Sequence, residues 1–179
     1  MFKQKLIIAT ILFIIAIHQS RAQTGNKSPL QLLSSCVGDW SVEITMWMES
    51  SESMISKASV HSEMIMSGLF LTSHFTGELM NSPYEGIYTI GYNIPKKVFV
   101  ATWIDNQNSG IDYLEGKLSD DGKSIEFRGV TFDPLQQKNI PIRHILTLTD
   151  DKHQKLEMYS EMSGMGMEMK MMEYDLNRQ

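Results

Sequence analysis

Cysteine is almost absent from this sequence. Cys36 is the only one in 179 residues, so the chain has no internal disulfide with which to stabilise a fold in an oxidising compartment. An unpaired cysteine of this kind is typically a small, buried, apolar side chain. We therefore expect a fold that depends on its hydrophobic core, with the Cys36 thiol inside that core.

Motifs that name a reaction are also lacking. The sequence contains no Gly-rich phosphate loop, no Gly-x-Ser-x-Gly nucleophile elbow and no His-Glu-x-x-His zinc motif. The histidines beyond residue 22, which are His61, His74, His144 and His153, have no zinc-like spacing to one another or to Cys36. Hydrolases and nucleotide-dependent enzymes thus receive no support, and we predict no metal site.

Only one long apolar run is present, and it lies at the amino terminus. Lys3 and Lys5 precede an apolar run from Leu6 to Ile17, and Ser20-Arg21-Ala22 follows it. A basic start, a short apolar segment and a small-residue exit site are the parts of a secretory signal peptide. We predict that residues 1–22 are a signal peptide and that the protein is exported to the periplasm or the extracellular space. The run is too short to cross a bilayer as a helix, so we predict no membrane span.

Lipid attachment at Cys36 is an alternative fate for the amino terminus. Leu33-Ser34-Ser35-Cys36 has the residue spacing of a bacterial lipoprotein box. Such a box directly follows the apolar run, whereas here the polar stretch from His18 to Gln31 separates the two. We therefore expect a protein without a lipid anchor.

Basic residues are fewer than acidic ones. The formal net charge is −5, and removal of Lys3, Lys5 and Arg21 with the leader lowers it to −8. Nucleic acid and anionic membrane surfaces repel a chain of this charge, so neither is an expected partner. The rest of the chain fits one domain of ordinary size. We divide it into an amino-terminal segment, 23–37, and a domain, 38–179.

A two-residue rhythm fills residues 38–179. Runs of alternating apolar residues are separated by Gly, Pro, Asn and Asp roughly every 8 to 12 residues. This pattern predicts an all-β fold, an antiparallel up-and-down lipocalin-like β-barrel of about eight to ten strands. The predicted strands are Gly38–Met48, Ile55–Met66, Leu69–Gly77, Tyr84–Asn93, Lys97–Ile104, Gly110–Leu118, Ser124–Gly129, Ile140–Thr149, Gln154–Glu161 and Gly166–Leu176. Before them, Ser28-Pro29 predicts a short helix that caps one end of the barrel.

The first predicted strand shows which face points inward. Its apolar side chains, Trp40, Val42, Ile44, Met46 and Met48, alternate with polar ones and so share one face. The opening Gly38-Asp39-Trp40 is similar to the first strand of lipocalin-type barrels, in which the tryptophan closes one end and often stacks on a basic side chain. The available partners are Arg128, Arg143 and Arg178.

Methionine, by contrast, is abundant, with 14 residues. Three sets alternate along predicted strands: Met46 and Met48; Met64 and Met66; and Met165, Met167, Met169 and Met171. Thioethers are soft ligands for monovalent copper, but no paired His or Cys accompanies these methionines in the sequence. We interpret them as an adaptable apolar lining of the barrel interior, and we predict no cofactor.

The most suggestive polar group comprises Tyr84-Glu85-Gly86, Gly91-Tyr92 and Trp103-Ile104-Asp105-Asn106. Glu85 and Asp105 are candidates for acid–base catalysis or for anchoring a ligand. The alternative is that both carboxylates bond backbone amides at strand ends or turns.

His144 is the candidate interior imidazole, because it shares a face with Ile140, Ile142, Leu146 and Leu148. It is interpreted as a core histidine with satisfied hydrogen bonds or as a pocket imidazole able to bind haem iron. The candidate ligand-binding residues are Met46, Met48, Glu85, Tyr92, Trp103, Asp105, His144, Met167 and Met169. The candidate structural residues are Gly38, Trp40, Gly86 and Gly91.

Short motifs are spread along almost the whole of residues 23–179. They are Gly38-Asp39-Trp40, Met46-Trp47-Met48, Glu78 to Met80, Tyr84-Glu85-Gly86, Gly91-Tyr92, Thr102-Trp103-Ile104-Asp105-Asn106, Glu115-Gly116 and Glu157-Met158-Tyr159. Together they resemble a bacterial family of secreted domains of unknown function. The resemblance implies a lipocalin-like or nitrobindin-like barrel, of the calycin type, and no activity. A nitrobindin-type haem site would need a proximal imidazole on a late strand; His144 lacks a matching motif, so we predict no haem.

Three hypotheses for function remain open. The first is a secreted protein that binds a small apolar or amphipathic ligand, with Glu85, Asp105 or His144 at its polar end. The second is an enzyme, such as an isomerase or lyase, that uses Glu85 or Asp105 as general acid or base. The third is an interaction module that acts through its outer surface, for example as a homodimer. We expect a binding protein rather than an enzyme.

Overall fold

The computed structural model of the protein describes residues 27–48, 52–134, 136–161 and 167–179. The predicted signal peptide, 1–22, and the predicted strand residues Met165 and Gly166 lie outside these ranges. The described chain forms one short helix, α1 (Pro29–Ser34), followed by strands. They are β1 (Gly38–Trp47), β2 (Ser53–Ile65), β3 (Phe70–Leu79), β4 (Ser82–Asn93), β5 (Val98–Asp105), β6 (Asp112–Leu118), β7 (Ser124–Asp133), β8 (Lys138–Leu148), β9 (His153–Glu161) and β10 (Glu168–Arg178).

The strands form one closed antiparallel barrel. Each strand pairs with its neighbour in sequence, and β1 pairs with β10 to complete the circle. Closure gives every strand of the barrel a neighbour on both sides. The prediction of an all-β, up-and-down barrel with a short helix before it is therefore confirmed.

Two ends of the barrel are distinguished by what surrounds them. We call the end that carries α1 the helix end; the turns after β2, β4, β6 and β8 lie there. We call the opposite end the mouth; the carboxyl-terminal ends of β1, β3, β5, β7 and β9 lie there. α1 begins with a capping box, in which the Ser28 hydroxyl accepts from the Gln31 backbone and the Gln31 side chain accepts from the Ser28 backbone. Leu32 and Leu33 are buried, so the helix contributes to the core.

Arg178 links several chain segments at the helix end. Its guanidinium carbon lies 4.1 Å from the ring centroid of Trp40, and its nitrogens donate to the carbonyl oxygens of Ser35, Val37 and Asp151. Trp40 is fully buried, and its indole nitrogen donates to the Cys36 carbonyl at 3.1 Å. The predicted stack of a basic side chain on Trp40 is confirmed, with Arg178 as the partner.

Gly38 and Cys36 complete this end. Gly38 has φ of +134°, a backbone conformation that favours glycine, and a Cβ there would lie 2.5 Å from Arg178 Nη1 and displace the guanidinium. Cys36 is buried, as predicted, and burial raises the pKa of its thiol to about 12. The thiol is thus protonated and unreactive at neutral pH.

The strand bounds differ from the predictions mainly at the mouth. β7 continues past Gly129 to Asp133, because Val130 to Phe132 pair with β8 down to a tight hairpin. β6 begins at Asp112 rather than Gly110, because the first residue of the β5–β6 connection to pair with β5 is Asp112, which lies opposite Trp103. β7 therefore extends beyond the start of β6, and the wall is open between them at the mouth. Within the described ranges, no helix has the length and apolarity that a bilayer span requires.

Candidate functional site

The open stretch of wall between β6 and β7 forms a cleft of about 620 Å³. The β5–β6 connection lines one side and the β7–β8 hairpin lines the other. Asp112, Thr131 and Ile140 belong to this lining, and their register positions place them on the inner face of the barrel. The cleft therefore connects the outer surface with the rim of the interior.

Asp105 sits at this rim and is held by neutral donors. One of its carboxylate oxygens accepts from the indole nitrogen of Trp103 at 2.7 Å. The other accepts from the backbone nitrogen of Gln107 at 3.0 Å and from the side-chain amide of Asn108 at 3.2 Å. The carboxylate therefore fixes both the Trp103 ring and the connection that follows β5. The interpretation that Asp105 bonds backbone amides at a strand end is confirmed.

Asp112 lies near Asp105 at the same rim, on the neighbouring strand β6. It lies directly opposite Trp103 and is partly buried. Burial raises the pKa of its carboxyl group, the negative charge of Asp105 adds to that rise, and a hydrogen bond with Thr131 opposes it. Two carboxyl groups thus give the mouth an acidic rim. No sequence motif singled out Asp112; its role depends on its register with Trp103.

Glu85 is not part of this rim. Its neighbours Tyr84 and Gly86 are buried, whereas Glu85 is exposed on the outer face of β4. Its backbone nitrogen donates to the side chain of Asn106 at 3.1 Å, and its carbonyl oxygen accepts from Asn106. Glu85 and Asp105 both line a pocket of about 200 Å³, but their side chains leave opposite faces of the sheet, because Asp105 pairs with Gly86 and so shares the inner face. A catalytic role for the two carboxylates stays a prediction.

Below the rim lies a cluster of aromatic rings. Trp103 contacts Phe75, Tyr88 and Tyr174 edge to face, with ring centroids 5.3, 5.5 and 6.0 Å apart. His144 lies beside them, with its ring centroid 5.8 Å from that of Tyr88 and 6.4 Å from that of Trp103. The predicted interior position of His144 is confirmed.

Two polar atoms inside this cluster have no hydrogen-bond partner among the described residues. They are the Tyr88 hydroxyl and Nδ1 of His144, and both are buried. A buried polar atom without a partner costs about 1–3 kcal/mol, so the interpretation of His144 as a satisfied core histidine is wrong for Nδ1. Burial lowers the pKa of His144 to about 4, and the imidazole is therefore neutral at pH 7.

In a neighbouring tyrosine pair, by contrast, the buried hydroxyls are hydrogen-bonded to each other. The hydroxyls of Tyr84 and Tyr174 lie 2.9 Å apart, and both side chains are buried. Gly86 makes room for this pair and for Trp103, because a Cβ there would lie 3.2 Å from the Tyr84 hydroxyl and 3.3 Å from the Trp103 ring. Its predicted structural role is consistent with this close approach.

The other predicted residues of β4 lie toward the helix end. Tyr92 is half-buried on the inner face and contacts Phe99 with ring centroids 5.0 Å apart. Gly91 faces outward beneath the Phe70 ring, which would lie 2.6 Å from an added Cβ. Phe70 therefore covers Gly91, and neither Gly91 nor Tyr92 belongs to the mouth.

The predicted methionine series on β10 is broken by a bulge. The register shifts between Lys170 and Met172, so Met172, rather than Met171, takes the inner position. Met169 lies opposite Ser160 on the inner side and is half-buried. Met167 is 63% exposed, which does not fit its predicted place in the lining. The two-residue alternation that the prediction used fails at a bulge because one strand gains a residue.

The methionines of β1 and β2 agree with the prediction in part. Met46 and Met48 are half-buried near the mouth, where the Met48 nitrogen donates to the Glu52 carbonyl. Met64 packs against the core. Met66, however, follows the end of β2 in a left-handed turn with φ of 50° and is 70% exposed, so its predicted place on the strand face is wrong.

The outer surface carries two contrasting regions. Across β8 to β10, charged side chains are paired: Lys170 bonds Glu157 and Glu173, and Arg143 bonds Glu168. Across β5 to β7, apolar side chains are exposed instead. They are Ile104, Tyr113, Val130 and Phe132, and Ile111 of the β5–β6 connection adds to them. Homodimer formation through this surface stays a prediction.

A family model describes the larger part of this chain. The model for proteins of unknown function designated DUF1579 matches residues 26–178. The chain belongs to the DUF1579 family. No curated protein matches it in sequence. The resemblance drawn from the short motifs is thus confirmed as far as a domain of unknown function, and the family itself names no activity.

Two solved structures are similar to this chain. Rv2717c from M. tuberculosis is similar with a TM-score of 0.55 at 13% identity, over 85% of this chain and 98% of that one. A redesigned β-barrel is similar with a TM-score of 0.43 at 15% identity, over 83% of this chain and 95% of that one. At these identities the likeness to Rv2717c concerns the fold alone.

Proposed function

We propose that this member of the DUF1579 family is an exported protein that binds a small apolar or amphipathic molecule through the mouth of its barrel. One observation carries the proposal: the Tyr88 hydroxyl and His144 Nδ1 are buried side by side without partners among the described residues. A ligand that hydrogen-bonds to both would remove the cost of leaving them unpaired. The phenol hydroxyl can donate to and accept from that ligand, and Nδ1 of the neutral imidazole donates or accepts according to its tautomer.

The surroundings indicate the chemistry of the ligand. Trp103, Phe75 and Tyr174 supply an apolar wall next to Tyr88, which suits an aromatic or aliphatic body. Asp105 and Asp112 make the rim acidic, so the end of the ligand that faces the mouth is neutral or cationic rather than a carboxylate. Entry would use the cleft between β6 and β7.

Native mass spectrometry of protein purified from its own host without denaturation tests the proposal directly. We expect a bound mass that denaturation releases, and we expect Tyr88→Phe to lower its occupancy because the phenol donor is lost. Tyr113→Phe is the matched control, since this exposed side chain lies on the outer wall and the change is the same. Protein that carries no bound mass, or equal losses in the two variants, would contradict the proposal.

Export is proposed on separate grounds, which are the basic start, apolar run and small-residue exit site of residues 1–22. The test is cell fractionation followed by mass measurement of the mature chain. Export predicts a chain that begins at Gln23 and is found outside the cytoplasm. A full-length chain in the cytoplasmic fraction would contradict it.

A further inference from the structure

A band of methionines runs around the inner wall near the mouth. Met54, Met46, Met172 and Met158 occupy directly opposite positions on the neighbouring strands β2, β1, β10 and β9. His144 on β8 continues the band, because it lies directly opposite Met158. Directly opposite residues of antiparallel strands project to the same face. Four thioethers and one imidazole therefore adjoin one another on the inner wall.

The part of this band next to His144 is directed into the protein. Met158 is 8% exposed and His144 is 4% exposed. Met172 packs against the core, and its sulphur lies 3.6 Å from the hydroxyl of Tyr174, a fully buried residue. The Met172 sulphur thus points inward rather than to solvent.

His144 supplies the nitrogen that the sequence did not place beside the methionines. Its Nδ1 is buried and has no partner among the described residues. When the ring proton is on Nε2, Nδ1 carries a lone pair that can bind a metal. Copper was set aside from the sequence for want of a paired His or Cys, and the register of β8 with β9 removes that objection.

We propose that His144, Met158 and Met172 bind a soft monovalent cation, Cu(I), with Met46 as a further thioether ligand. Thioethers select Cu(I), and imidazole suits copper as well. Zinc prefers thiolate, imidazole and carboxylate ligands, of which this band contains only the imidazole. The band therefore discriminates between the two metals by the softness of its donors.

The geometry of the wall permits convergence of these donors. Neighbouring strands lie about 4.8 Å apart, and the inner face of a closed barrel is concave, so side chains from adjacent strands approach one another towards the axis. Methionine is unbranched and has three rotatable bonds. The sulphurs of Met158 and Met172 can therefore turn towards the same point beside the His144 ring.

This inference goes beyond the small-molecule proposal and does not depend on it. The two share His144, but the metal site needs thioethers and the small-molecule site needs the Tyr88 hydroxyl. Tyr88→Phe is expected to leave metal affinity unchanged, whereas replacement of the methionines is expected to abolish it. Each proposal can accordingly fail while the other stands.

The test uses the mature chain, freed of metal, and two probes. Ag(I) serves as a soft monovalent ion that is stable to air, and Cu(I) is titrated without oxygen in competition with a chromophoric Cu(I) chelator. The double variant Met158→Leu with Met172→Leu is expected to weaken binding of both ions by more than roughly tenfold, since even the loss of a group that orients a metal ligand costs about 10- to 100-fold. His144→Leu is expected to act in the same direction.

Met64→Leu is the matched control, because Met64 also packs against the core but lies outside the band. Methionine and leucine have similar volumes, so all these methionine variants are expected to fold. Methyl NMR of the methionines gives a second readout, in which Ag(I) should shift the Met158 and Met172 signals. The proposal is overturned if the native chain does not hold Cu(I) against the chelator, if Met64→Leu weakens binding equally, or if only methionines other than Met158 and Met172 shift with Ag(I).

Discussion

The helix end and the mouth of the barrel are built from similar side chains but differ in how their polar atoms are satisfied. At the helix end, the Trp40 indole nitrogen and the Arg178 guanidinium donate to backbone carbonyls. Below the rim of the mouth, the Tyr88 hydroxyl and His144 Nδ1 are buried without partners among the described residues. A fold holds fully paired polar groups for stability, whereas unpaired ones reduce stability and persist where they serve another purpose. The helix end closes the barrel, and the unpaired atoms below the mouth are the observation on which the proposed ligand site rests.

The largest expected effect on stability comes from a substitution at the helix end. Trp40→Ala removes a fully buried indole, its hydrogen bond to Cys36 and its stack with Arg178. Replacement of a buried aromatic residue by alanine costs about 3–5 kcal/mol, so we expect the free energy of unfolding to fall by that amount or the chain not to fold. Urea denaturation measures it. A loss below about 1 kcal/mol would mean that this end is not what stabilises the barrel.

Two tyrosine variants test the difference between paired and unpaired groups directly, because each removes one buried hydroxyl. Tyr84→Phe removes a hydroxyl that bonds Tyr174 at 2.9 Å, and we expect the free energy of unfolding to fall by about 1 kcal/mol. Tyr88→Phe removes a buried hydroxyl without a partner, so we expect an unchanged or higher free energy of unfolding, by up to about 1 kcal/mol. Both are compared with the native chain after refolding from urea, which releases any bound molecule.

Equal losses of stability in these two variants would contradict the distinction between partnered and unpartnered groups. Loss of stability in Tyr88→Phe alone would show that the Tyr88 hydroxyl has a partner in solution. Either result would remove the observation on which the proposed function depends.

The smallest expected effect concerns the acidic rim. Burial raises the pKa of Asp112 above its ordinary value of 3.8, so the folded chain holds a proton on this group more tightly than the unfolded chain does. The contribution of Asp112 to stability is therefore greatest below pH 3.8 and falls as the pH rises through its folded pKa. Asp112→Asn should remove this dependence. Between pH 4 and pH 7, the free energy of unfolding of the native chain should therefore fall relative to that of the variant. Urea denaturation between pH 4 and pH 7 measures it, and parallel pH profiles for the two chains would contradict the prediction.

Much of the fold was predictable from local pattern, and the exceptions have definite causes. Alternation located all the described strands, since each strand of a barrel keeps one face inward. The Ser28 cap predicted α1 because a helix start depends on only a few adjacent residues. Met66 and Met171 were misplaced by a turn and by a bulge. Both interrupt alternation without a clear mark in the sequence.

The candidate site was less predictable than the fold. His144 was found because it interrupts an apolar series on one face. Asp112 and Tyr88 were missed as site residues: nothing near Asp112 in sequence marks its approach to Asp105, and an unpaired hydroxyl is not visible in a sequence. Glu85 was placed at the site through adjacency to Gly86, but adjacent residues of a strand point to opposite faces.

The sequence by itself determined the fold class, the order of the strands and the inward face of most of them, because these depend on the spacing of apolar and turn residues along the chain. Only the tertiary structure decided which side chains meet across strands. The register of β8, β9 and β10 brings His144 to Met158 and Met172, and closure of the sheet joins β1 to that group. Such contacts link residues far apart in sequence, so the pairing of whole strands, rather than any local motif, determines them.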